Sequence, residues 1–193
     1  MIFIIFIVQK SKSVLFNFST AMTHLLDDNW ISLGEVPLEE KPLNQRRENR
    51  MFAVQFLYAW DLSHPDSIEI AFSELVKDQQ KPKNYYQFAR ELSFGAIEKQ
   101  EAIDKVILQY AQNWAFNRIP KVDLAILRLA IFELLYRLDI PPIVSINEAL
   151  DLVSVYSHPD AKRFINGLLD RFKATLQRPI RETVKRTEPM PGT

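Results

Sequence analysis

An all-α fold with no sheet is what this sequence predicts, and three observations carry the prediction. Between Asn44 and Gln177 apolar residues recur at the spacing of helices that bury one face. The breaks between those stretches hold helix-capping residues and prolines rather than hairpin turns. Only four glycines occur in 193 residues, too few for the many turns of a strand-rich fold. A length of 193 residues allows one domain with tails, and a domain of that order buries roughly 70% of the surface its unfolded chain exposes. The expectation is therefore a single compact domain of six or seven helices over 44–177.

The ends read differently. Ile2 to Val8 (IFIIFIV) is an apolar run far shorter than the roughly 20 residues a bilayer span needs. It has no preceding basic residues and no small-residue cleavage site, so it matches a secretory signal poorly. Residues 1–43 are expected to be a non-globular leader, with Met22 as the true start and 1–21 an upstream reading-frame extension. Residues 178–193, with three prolines and a glycine, are expected to be a disordered tail.

Within the folded part, the first helix is expected from Gln45 to about Asp61, capped by Asn44 and stopped by His64-Pro65-Asp66. Asp66 with Glu69 forms a capping box for the second, which ends before Lys81-Pro82. Asn84 with Gln87 repeats that box and opens a long periodic segment to about Gln112, broken between Gly95 and Gln100. Lys121 to Asp139 (KVDLAILRLAIFELLYRLD) is apolar on nearly every side, the pattern of a surrounded central helix. Ser145 and Glu148 form a third box for a helix to Ser157, and Pro159 suits the first position of a last helix reaching Gln177. Asn166-Gly167 inside that last helix costs about 1 kcal/mol for the glycine and reads as a close helix crossing.

The residue inventory excludes several chemistries. No cysteine is present, which removes disulfides, thiolate nucleophiles and thiolate metal sites, and fits a reducing cytoplasm. His24, His64 and His158 have no second ligand at helical spacing, so no metal is expected. The glycine-rich phosphate loops and the nucleophile elbow are absent, and neither an enzyme nor a cofactor is expected. Lys and Arg (24) balance Asp and Glu (24), so any polyanion site must be a local patch.

Two such patches stand out. At about 100° per residue, Arg46, Arg47 and Arg50 share one face at the start of the first helix, with Glu48 on the far side. Cations in a first turn oppose the helix dipole at a cost of about 0.3 to 1 kcal/mol each. The residues alone leave two readings, a phosphate-gripping edge and an ordinary solvated basic end. Tyr58, further along, is most simply an aromatic at the core's edge. In the last helix, Ala161, Ile165, Leu168, Leu169 and Phe172 form the buried stripe, Phe164 lies on its shoulder, and Arg163 and Arg171 flank that ring. A splayed RNA base stacked on an aromatic ring gains about 1 to 3 kcal/mol. Periodicity alone favours the plainer reading, a core phenylalanine at the stripe's margin.

The order of three motifs, RRENRMFAVQFLYAWDLS, then VDLAILRLAIFEL, then INEALDLV leading into DAKRFINGLLD, resembles the NusB family of bacterial transcription antitermination factors. The likeness covers about Gln45 to Leu176. It implies seven helices in two packed bundles and a non-enzymatic protein that pairs with the ribosomal protein NusE. It implies also that the pair binds boxA RNA of nascent ribosomal RNA transcripts and helps RNA polymerase pass terminators. By motif, the RNA contacts implied are Arg46, Arg47 and Arg50 on the first helix, Asp160, Lys162, Arg163 and Phe164 on the last, and Tyr58 near the same surface. Asp123 corresponds to an acidic position facing NusE. Glu48 stands where a further arginine would be expected, so the basic segment is thinner. The implied location is the cytoplasm, and a homodimer is compatible with the sequence. Two rivals are a helical dimerisation module without RNA, and a NusB-like RNA-positioning domain detached from an rRNA methyltransferase. The second would need a following α/β domain, which the sixteen residues after Gln177 are expected to be too few to form.

Overall fold

The computed structural model describes residues 44–184 apart from positions 78, 80, 83 and 112–114. The expected leader, Met22 and residues 185–193 lie outside the described residues. Those that are described form seven α-helices and no strand: α1 Gln45–Ser63, α2 Ile68–Lys77, α3 Gln87–Glu98, α4 Gln100–Tyr110, α5 Lys121–Tyr136, α6 Pro142–Tyr156 and α7 Pro159–Lys173. A single 3-10 turn, Phe116–Arg118, precedes α5.

Local chemistry sets the boundaries, not always through the residues the sequence suggested. Asn44 caps α1 as expected, its Oδ1 accepting the Arg46 amide at 3.0 Å. The helix ends at His64, which takes the left-handed conformation (φ 43°). For α2 the cap is Ser67, whose Oγ accepts from Ile70 N at 3.3 Å, so the helix starts beyond Asp66. No side chain caps α3; a turn over Asn84 to Tyr86 delivers the chain into it. The expected break between α3 and α4 falls at Lys99. Helix α6 begins at Pro142, ahead of Ser145, because prolines suit a first turn whose amides need no partner. Ser145 is consequently buried inside the helix rather than capping it.

Helix α5 is the shared centre. Every residue from Asp123 to Leu134 is buried, as its all-round apolar pattern predicts. Helices α1 and α3 pack on it and on each other, and α4, α6 and α7 pack on it with α7 against both α4 and α6, which gives the two bundles. Helix α2 is attached chiefly through Phe72, whose ring lies 5.1 to 5.6 Å from those of Phe52, Phe56 and Phe94 in edge-on contacts. Burying such a side chain contributes about 1.5 to 3 kcal/mol.

The close helix crossing is at Gly95, not at Gly167. A Cβ on Gly95 would collide with the tip of the Phe132 ring, so α3 and α5 approach through the missing side chain. At Gly167 a Cβ would meet nothing closer than an Arg171 nitrogen at 4.0 Å. Ionic pairs lock the other end of α5. Arg128 holds Asp104 of α4 by two contacts of 2.8 Å and Asp61 of α1 at 2.9 Å, and Lys121 also reaches Asp61. Burial pushes the Asp61 carboxyl up, but its hydrogen bonds to Lys121 and Arg128 and their charges outweigh that and hold it below the usual carboxylate range.

The chain remains in contact with the bundle as far as Val184, past the expected boundary at Gln177. Arg178 donates to the carbonyls of Glu133, Arg137 and Ile140 at 3.2 to 3.3 Å. Ile143 N bonds Ile180 O at 3.0 Å and Val184 N bonds Leu138 O at 2.9 Å. Residues 178–184 thus form a strap across the end of α5.

Candidate nucleic-acid interface

The first turn of α1 presents its three arginines in three different settings. Arg46 is exposed, and its guanidinium stands 5.0 Å from the centre of the Phe88 ring of α3. Arg47 is half-buried and pairs with Asp151 of α6, Nη2 to Oδ2 at 2.8 Å. Arg50 is buried, at 3% exposure. Its guanidinium forks onto Glu133 of α5, Nε to Oε1 at 2.7 Å and Nη2 to Oε2 at 3.1 Å, with Glu148 of α6 at 3.6 Å. The expectation that Arg50 belongs to an RNA-contacting face is therefore corrected. It is an internal tie between three helices, and a buried guanidinium already bidentate to a carboxylate offers nothing to a phosphate. Glu48 is also committed, accepting from the Tyr85 hydroxyl and pairing with Lys81 at 3.6 Å. The Tyr85 phenol is raised to about 12 by that hydrogen bond.

The start of α7 follows from His158 and Pro159. The imidazole Nδ1 accepts from Asp160 N at 3.4 Å, and Pro159 occupies the first helical position. Asp160, Lys162 and Arg163 are exposed. Lys162 Nζ donates to Ser154 Oγ of α6 at 3.0 Å. Phe164 is half-buried and packs against the core. Arg171, expected beside that ring, donates to the Tyr110 carbonyl at the end of α4 at 2.8 Å, a link between α4 and α7.

Helix α6 brings the two patches together. Asp151 and Ser154 are three residues apart and so lie on one face, one turn from each other. Arg47 reaches the first from α1, and Lys162 reaches the second from α7. A third side-chain link, Gln55 Nε2 to the Tyr156 hydroxyl at 2.8 Å, joins α1 to α6 further along. Burial raises that phenol to about 12, against the lowering effect of the Gln55 bond. Tyr58 lies half-buried one turn beyond Gln55, against the core. The resulting seam runs from Arg47, over Asp151 and Ser154, to Lys162; Arg46, next to Arg47 in the chain, stands by Phe88 of α3, and the exposed Arg163 follows Lys162. Asp151, Ser154, Gln55 and Tyr156 were not singled out in the sequence. The available signal was their polarity alone, which names no partner.

Asp123 does not sit on the open surface. It is 3% exposed at the start of α5, and its Oδ1 is buried with no hydrogen-bond partner among the described residues. Burial raises its carboxyl, opposed by a hydrogen bond with Ser157. The resemblance puts an acid facing NusE at this position, and in the structure that acid is enclosed. Its neighbours enclose it because Asp123 opens the fully surrounded stretch of α5. Among the described residues no group of three or more His, Asp or Glu is placed to hold a metal ion. None of their helices is long and apolar enough to cross a membrane.

Residues 47–174, from the first turn of α1 to the end of α7, match the sequence profile of the NusB family. The chain belongs to the NusB family. Among its relatives is the transcription antitermination protein NusB of Trichlorobacter lovleyi, 41% identical over 132 residues, which cover 67% of this chain and 90% of that protein. NusB from T. maritima has the same fold, with a TM-score of 0.61 at 32% identity over 67% of this chain and 91% of the other. A structure of antitermination factors NusB and NusE in complex with double-stranded RNA gives a TM-score of 0.61 at 30% identity, covering 67% and 97%. The NusB match begins at Arg47 and so takes in both halves of the seam.

Proposed function

We propose that this chain is a transcription antitermination factor that, paired with the ribosomal protein NusE, binds boxA-type single-stranded RNA of nascent rRNA transcripts and helps RNA polymerase read through terminators. It works in the cytoplasm by binding rather than by catalysis, and it reaches RNA polymerase as part of that assembly. The observation that carries the reading is the α6 face on which Arg47 and Lys162, from opposite ends of the chain, are held one helical turn apart. A single strand laid along the seam meets Arg46, Arg47, Lys162 and Arg163 as phosphate partners, with Tyr58 and Phe164 as the aromatic groups beside it. Asp160 is exposed at the same end and stands beside His158. Its carboxylate accepts hydrogen bonds from base edges and repels phosphates. Asp123, under the surface, supports the start of α5 on the side assigned to NusE.

The overall charge is zero, so attraction at long range is weak and a second protein adds the contacts that raise affinity. The test is ternary association: the chain, NusE from the same organism and a short labelled boxA RNA, titrated at several salt concentrations. Binding that strengthens with NusE and weakens with salt is expected. Equal affinity with and without NusE, or no dependence on salt, overturns the reading.

A further inference from the structure

We propose that Asp151 is an internal competitor for RNA, a carboxylate that occupies Arg47 in the free protein and sets how strongly an anion must bind to take its place. This inference rests on the RNA reading above and deepens it by naming a residue that limits affinity on the same seam. The observations are geometric. Asp151 is the only carboxylate among the described residues that pairs with Arg47, through one contact of 2.8 Å, and both side chains are partly open to solvent, at 32% and 47%. The pair lies one turn of α6 from Ser154, which holds Lys162. Ser154 Oγ itself donates to the Leu150 carbonyl at 3.0 Å, which fixes its lone pairs toward the ammonium. Arg50 shows the contrasting case, where the buried Glu133 and the partly buried Glu148 hold an enclosed guanidinium.

Chemically, a carboxylate and a phosphodiester present the same kind of oxygen pair to a guanidinium. A phosphate arriving at Arg47 either displaces Asp151, losing an ion pair, or shares the guanidinium and sits a few ångströms from a like charge. Both routes oppose binding. Partial exposure keeps the opposition modest, since an exposed ion pair is worth little and is screened by salt. Asp151 is thus a threshold rather than a block. It keeps Arg47 extended toward the seam while penalising any polyanion that fails to make further contacts at Lys162, Arg163 and Phe164.

The test is a double-mutant cycle read by fluorescence anisotropy with labelled boxA RNA and NusE, on the full chain. Asp151→Asn is expected to tighten binding by roughly three- to tenfold at low salt. The gain should disappear in an Arg47→Ala background and shrink as salt rises. Because the repulsion reads no bases, an unrelated single strand of equal length should gain by a similar factor. Asp151→Ser supplies a second neutral variant, and Asp151→Glu should restore the original affinity. Unchanged or weaker binding by both neutral variants, a gain that survives Arg47→Ala, or a gain confined to boxA overturns the inference. No binding by the unaltered chain overturns the RNA reading itself, and this inference with it.

Discussion

Arg50 and Glu133, 83 residues apart in the chain, form a two-pronged ion pair of 2.7 and 3.1 Å in the interior, and Ser145 Oγ donates to the same carboxylate at 2.6 Å. This network ties α1, α5 and α6 directly beneath the seam. Removing one member leaves the other charged and buried, which costs about 3 to 5 kcal/mol. Arg50→Ala is therefore expected to lower the unfolding free energy by about that amount in urea titrations. Any loss of RNA binding should track the unfolded fraction.

Arg46 and Arg47 behave oppositely. Arg46 is exposed, and Arg47 has only its partly exposed partner Asp151. Changing both to Ala should move stability by about 1 kcal/mol or less, since exposed pairs contribute that little. The slope of log K against log salt for single-stranded RNA should fall by about 1.4, at about 0.7 for each phosphate no longer neutralised. Anisotropy titrations at four salt concentrations measure it.

For Phe164, half-buried against the core, Leu is a more informative replacement than Ala. Leucine keeps most of the apolar packing, so the cost in stability should stay below about 1.5 kcal/mol. It removes the ring face, and RNA binding should weaken by about 1 to 3 kcal/mol. Paired urea and RNA titrations separate the two effects, and a stability loss larger than the binding loss would mark the ring as core alone.

Burial lifts the Asp123 carboxyl above its ordinary value of 3.8. The native state then holds a proton more tightly than the unfolded chain. Stability accordingly falls as pH climbs from that value through the raised one, and the penalty persists above it. Asp123→Asn should raise the Tm near neutral pH, and the difference should vanish once the pH drops below the ordinary carboxylate range. Thermal melts across pH check the sign.

Gly95 admits no side chain where it meets Phe132. Gly95→Ala, a favourable change in an isolated helix, should instead destabilise the protein by about 1 to 3 kcal/mol through overpacking. Pairing it with Phe132→Leu should recover part of the loss, which a double-mutant cycle in urea would read.

Helix number, the central place of α5 and the α1 cap were legible because periodicity and first-turn chemistry act within a few residues. The settings of the arginines were not. On a helical wheel Arg50 lies about 40° from Arg46, yet one is exposed and the other is enclosed. The clue was Glu133, a lone acid in an otherwise apolar stretch of α5, which demands a buried cation. Which cation, from 83 residues away, is a matter of tertiary packing. The same limit hid the link between Arg47 and Asp151 and misplaced the close crossing at Gly167, since a glycine inside a helix does not reveal which neighbour it admits.

The strap of residues 178–184 has its own consequence. Arg178 adds a second donor to the Glu133 and Arg137 carbonyls at the C-terminus of α5, which already accept the Arg137 and Ile140 amides. Protein shortened to the stretch that matches the family profile, which ends at 174, would lose those contacts and uncover the end of the central helix. A few residues past that match thus act as the stopper on the element that both halves depend on.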